Sequence, residues 1–110
     1  MVFKHKELAS GRWYELSLAE QLGNIGSEVS RALRWQNKDE KLFWGAIERA
    51  LELFDLTIED SRWNGRLKEI ARAREVFCDT VFQKGKEYNS SLEDLNRYFF
   101  HFAFAARQKM

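Results

Sequence analysis

The chain has 110 residues, 45% of them hydrophobic and 32% charged, with a formal net charge of +1. That length is one domain, large enough to bury a core without disulfides or metals, and the composition is too apolar for a disordered chain. There is no proline and only one cysteine, which argues against an all-β domain with its proline-bearing turns and edge strands and excludes an intrachain disulfide or a cysteine-rich zinc cluster.

Residues 1–16 read as a short N-terminal arm carrying Phe3, Leu8, Trp13, Tyr14 and Leu16, with a short helix around Lys4–Ala9 that Gly11 breaks. The arm lacks the apolar stretch of a signal peptide. Residues 17–110 read as the helical domain. Its first helix starts at Ser17, which forms a capping box with Glu20. Leu18, Leu22, Ile25, Val29 and Ala32 then step by 4, 3, 4 and 3 along one apolar seam. Gly23 and Gly26 lie inside that helix at about 1 kcal/mol each against alanine, so another backbone is expected to approach there.

The second helix follows the turn QNKD, with Asn37 and Glu40 as its capping box, and ends near Asp60. Leu42, Phe43, Ala46, Ile47, Ala50, Leu51, Phe54 and Ile58 give it a wide apolar face, and Glu48, Glu52, Asp55 and Glu59 run along its expected solvent side. In EDSRWNGR, Asn64-Gly65 reads as a turn, yet Asp60 or Ser61 equally caps a helix running through it. The third helix is placed from about Ser61 to Gln83, with Leu67, Ile70, Ala71, Phe77, Cys78 and Val81 inward and Lys84-Gly85 as the stop. Ser90 with Glu93, or Ser91 with Asp94, caps the last helix, whose seam is Leu92, Leu95, Phe99, Phe102 and Ala106. Four helices of roughly 18–22 residues, about 27–33 Å each, joined by short connections, predict an all-α fold: an up-down antiparallel four-helix bundle.

Charge is unevenly placed. Residues 37–60 hold three basic and seven acidic side chains, so −4, and residues 61–86 hold seven basic and three acidic, so +4. Either the two helices attract and fix their pairing, or Arg62, Arg66, Lys68, Arg72 and Arg74 form a strip for phosphates. Neither His5, His101 nor Cys78 has metal-ligand spacing, there is no Glu-x-x-His pair, and no phosphate-binding glycine loop occurs. No metal or cofactor is expected. No 18-residue apolar run exists to cross a membrane, and the last helix lacks the basic polar face of a membrane-surface helix. Together with the lone thiol, expected buried on the third helix, this reads as a soluble, cytoplasmic protein.

Residues 96–107, NRYFFHFAFAAR, hold the remaining chemistry. Arg97 and His101 are four apart, hence on one helix face. An imidazole can move a proton near neutral pH while a guanidinium stabilises a charged phosphorane. In length, helix number and the late position of RYFFH (97–101), the chain resembles the HEPN group of small helical-bundle proteins, many of them RNases of toxin–antitoxin and defence systems. That resemblance implies an RNA-cleaving or RNA-binding domain, Arg97 and His101 as catalytic residues and a centre assembled across a dimer. Three residues separate Arg97 from His101 where the group has four to six, and Tyr98 stands where it has a polar residue.

The same residues also read as purely architectural, with Arg97 stacked on Tyr98 or Trp35 and His101 at a seam edge. A helix apolar nearly all round must be covered nearly all round. Tyr98, Phe100 and Phe104 are then an interface, sheltered by the arm with Trp13 and Tyr14 or by a second copy. On this reading the chain is a protein-interaction module that self-associates through its last helix and has room for a further protein partner.

Overall fold

The computed structural model describes residues 11–108. Phe3, Leu8, His5 and the expected helix around Lys4–Ala9 lie outside the described residues. The chain forms four α-helices, α1 (Leu18–Trp35), α2 (Glu40–Glu59), α3 (Leu67–Phe82) and α4 (Leu92–Gln108), with 3-10 segments at Arg12–Glu15 and Ser61–Arg66. Each helix runs against the next, and α4 returns antiparallel to α1, with Gly26 facing Phe99 and Gly23 facing Ala103. The all-α four-helix bundle is therefore the fold.

Helix α1 begins as its sequence dictates. The Glu20 amide donates to Ser17 Oγ at 3.1 Å, and the Ser17 amide donates to Glu20 Oε1 at 2.9 Å. The Ser17 amide, and then the Ser17 hydroxyl, favour the charged form and hold the Glu20 carboxyl below its ordinary range. Leu22, Ile25, Val29 and Ala32 are buried. Glu28 is buried as well, and its carboxylate takes Arg31 on its own helix and Arg49 Nε of α2 at 2.8 Å.

Two boundaries differ from the sequence reading, and a third is decided between its alternatives. Asn37 does not cap α2: it adopts φ +63° just beyond α1, a left-handed conformation asparagine tolerates and an N-cap does not use. Asp39 is extended instead, and its Oδ1 accepts the Leu42 amide at 3.0 Å. The expected single helix from Ser61 is a 3-10 segment followed by α3, with a non-helical Trp63 (φ −103°, ψ 19°) inside the 3-10 segment. Asparagine and glycine at 64–65 are poor helix formers, and Trp63 turns inward to bond Gln21. Of the two boxes offered for α4, Ser91 with Asp94 forms, each side chain accepting the other's amide at 3.1 Å.

The α3–α4 connection closes on Asp79. Its buried carboxylate accepts the Glu87 and Tyr88 amides at 3.1 and 3.0 Å. Gly85, at φ +75°, lies so close to the Ser90 carbonyl that a Cβ there would stand 2.8 Å from it. Phe54, Phe77 and Phe99 meet at the bundle centre, with ring centroids 5.6 and 5.8 Å apart.

Burial corrects the faces of two helices. Trp13 is completely buried and donates its indole N–H to Thr57 Oγ1 at 3.2 Å. With that ring on its C-terminal half, α2 buries Leu53 and Leu56. Glu52, read as a solvent-side residue, lies one turn before the buried Leu56 on the same side of α2 and is 6% exposed. Leu67, read as inward, opens α3 directly after the 3-10 segment and is exposed.

Candidate interaction surface

The two faces of α4 differ sharply. Leu92, Leu95 and Phe99 are buried, whereas Phe100 and Phe104, one turn apart, are 60% and 54% exposed. Phe100 lines a groove of about 180 Å³ between α1 and α4, together with Gly23, Gly26, Ser27, Ser30, Asn96 and Ala103. The expected shelter from Trp13 and Tyr14 is not there. Trp13 bonds to Thr57, and Tyr14 stands beside Glu59 and Asp60; burial, then those two carboxylates, push its phenol pKa up.

Tyr98 belongs to the other flank. It is two residues from Phe100, about 200° round the helix, and its hydroxyl donates to Glu69 of α3 at 3.5 Å. Its ring packs edge-on against Phe99 and Phe102 at 5.0 and 5.4 Å. Burial, then the nearby Glu69 carboxylate, raises its pKa. Beside it a groove of about 290 Å³ between α3 and α4 has Ala73, Val76 and Leu95 along it. The three aromatics expected to form one interface thus lie on two surfaces.

Arg97 and His101 are both exposed on the outer sector of α4. Arg97 is ion-paired with Asp94 of the same helix, in place of a stack on Tyr98 or Trp35. The Asp94 carboxyl is held low, first by the Ser91 backbone amide and hydroxyl and then by Arg97. The basic residues of the α3 region are engaged locally: Arg62 with Asp60, Arg66 with Glu69 and Arg72 with Glu75. Arg74 reaches across to Asp55 of α2 at 3.0 Å. Charge complementarity between α2 and α3 is realised at that pair, while most of the cationic strip is neutralised along its own segment.

Two arrangements were not read from the sequence. One is a polar network under the N-terminal segment. Gln21 Nε2 donates to the Trp13 carbonyl and to Asp60 Oδ2, both at 3.0 Å, and its Oε1 accepts the Trp63 indole at 2.9 Å. Arg62 clamps both Asp60 oxygens and donates to the Leu16 carbonyl at 2.7 Å. Its signal was a glutamine inside an apolar helix, between a tryptophan-bearing arm and a tryptophan-bearing boundary. The other is a second apolar patch, where Trp44 of α2 stacks on Phe82 of α3 at 5.8 Å and Leu42 is also exposed. Spacing alone did not reveal it, because the helices that carry these rings had to be paired first.

Among the described residues no cluster of three or more His, Cys, Asp or Glu is placed to hold a metal ion, and no helix is long and apolar enough to cross a membrane. Cys78 is half-buried, and burial raises its thiol pKa, which disfavours the reactive thiolate. No family model, curated protein or solved structure matches the chain.

Proposed function

We propose that this chain is a cytoplasmic helical interaction module that self-associates through the outer flank of α4. The observation that carries the reading is the pair Phe100 and Phe104, more than half exposed on a helix whose opposite face is sealed in the core. Two large rings in water at adjacent turns are an apolar surface that association would cover. A cytoplasmic setting is supported by the single free cysteine. Light scattering at micromolar concentration tests the proposal. The wild-type chain gives a dimer, Phe100→Glu or Phe104→Glu gives a monomer of unchanged helicity, and Arg97→Ala and His101→Ala leave the mass unchanged. A wild-type monomer overturns it.

A second reading, an RNA-cleaving or RNA-binding domain of the HEPN type, is favoured by the open position of His101 on the same sector as Arg97. Its test is incubation with structured and single-stranded RNA. Cleavage that His101→Ala abolishes supports it, and intact RNA with both proteins removes it as a nuclease.

A further inference from the structure

The groove beside Phe100 has a composition that points to its occupant. Resting on the self-association proposed above, we infer that α4 of a second copy lies along α1 of the first, with Phe100 of each copy entering the groove between Ser27 and Ser30 of the other.

The centre of this face carries no charge. Asn24, Ser27 and Ser30 of α1 are exposed there, and Asn96 and Ala103 of α4 are half-buried. Depletion of charge at the centre with aromatic side chains present is the make-up of interface cores. Two of the polar groups are already satisfied by their own helix. Ser27 Oγ donates to the Gly23 carbonyl at 3.2 Å, and Asn24 Nδ2 donates to the Glu20 carbonyl at 2.8 Å. Covering them therefore strands fewer donors than an ordinary polar surface would. Gly23 and Gly26 line the groove where Phe99 and Ala103 close on the α1 backbone.

Charge complementarity selects the occupant and its register. Arg34 lies one turn beyond Ser30 on α1, and Glu93 lies one turn before Asn96 on α4. Both are exposed, and among the described residues neither makes an ion pair. Since α1 and α4 are antiparallel and Gly26 faces Phe99, Arg34 and Glu93 stand at the same height, toward one end of the face. A two-fold axis parallel to the helices sets α4 of one copy over α1 of the other at constant height. It brings Phe100 of each copy over Ser27 and Ser30 of the other, and Arg34 of each over Glu93 of the other, an isologous contact that closes at two chains. The alternative two-fold axis, perpendicular to the helices, lays α4 on α4 and leaves Arg34 and Glu93 far apart.

Charge reversal tested in trans decides the matter. Arg34→Glu sets two carboxylates together in each of the two symmetry-related pairs, and Glu93→Arg sets two guanidinium groups together. Each single variant should raise the dimer Kd about tenfold or more. An equimolar mixture of the two restores both pairs, one in its native sense and one with its signs exchanged, so native mass spectrometry should show a heterodimer with wild-type Kd. Sedimentation of the double variant Arg34→Glu/Glu93→Arg should also match wild type. If Phe100→Glu dissociates the dimer but the mixture recovers nothing, the α1-on-α4 register is wrong while association through α4 stands. If the wild-type chain is monomeric, both proposals fall together.

Discussion

Helix α4 meets its two neighbours by opposite means. Toward α1 the contact is backbone to side-chain root: a Cβ at Gly26 would stand 2.6 Å from Phe99 Cβ, and one at Gly23 would stand 3.1 Å from Ala103 Cα. Toward α3 the contact is made by long side chains, with Tyr98 reaching Glu69 and a groove left over Ala73 and Val76. Small residues let two helices close, and large ones prop them apart and leave space along the seam. The tight flank fixes where α4 lies. It also leaves Phe100 uncovered, because the helix sits too deep against α1 for a ring at that position to turn under it.

The contrast predicts a gradient of sensitivity. Phe99 is fully buried at the point where α1, α2 and α4 converge, so Phe99→Ala should lower unfolding stability by about 3–5 kcal/mol. Urea denaturation followed by circular dichroism reads this directly, and a loss below about 1 kcal/mol would mean that α4 is not seated as described.

Away from both flanks, the entry to α3 is held by Asp60, 4% exposed and clamped by Arg62 and Gln21. Asp60→Asn should cost about 2–3 kcal/mol by weakening charge-assisted hydrogen bonds and leaving Arg62 less well paired. The bonds from Arg62, then those from Gln21, hold the Asp60 carboxyl below its ordinary value of 3.8. Its contribution is therefore complete above that value and is lost as pH falls through the lower, folded-state pKa. A stability–pH curve should drop below about pH 4 in wild type and be flatter there in Asp60→Asn. Parallel acid limbs would refute the assignment.

Gly26→Ala gains about 1 kcal/mol of helix propensity but drives a methyl into Phe99, for a net loss of about 1–2 kcal/mol. Gly45→Ala supplies the contrast: its Cβ would meet the Arg49 guanidinium end at 3.5 Å, and it should stabilise by about 0.5–1 kcal/mol. Thermal melts of the pair in opposite directions would sharpen the comparison, and equal shifts would dissolve it. Smallest is Tyr98→Phe, which removes a hydroxyl whose bond to Glu69 is 3.5 Å long and should change stability by less than about 0.5 kcal/mol. A larger loss would show that the α3 flank bears more of α4 than its side-chain contact implies.

Much of this architecture was legible in local pattern. The capping box at Ser17 and the seams of α1 and α4 follow from spacings that physics fixes within a few residues, and the glycine pair marked a close approach before any neighbour was known. The α2 cap was misplaced because Asn37 and Asp39 both suit an N-cap by residue type, and only backbone conformation separates them. Glu52 was placed in solvent because the width of the covered face of α2 depends on how the helices pack around it, and its place one turn before Leu56 puts it at the buried edge. The candidate surface was half legible: an excess of rings on α4 is a matter of counting, but the assignment of Tyr98 to one flank and Phe100 to the other required α1 and α3 in place.

The sequence alone determined that helices form, roughly where they start, and that the last carries more aromatic surface than one core needs. These are consequences of periodicity, capping and composition within a turn or two of chain. The tertiary structure decided which rings are covered, which charges pair, and that the glycines face Phe99 and Ala103. Those outcomes depend on residues distant in sequence being brought within a few ångströms, and no local pattern encodes which of several apolar faces meet.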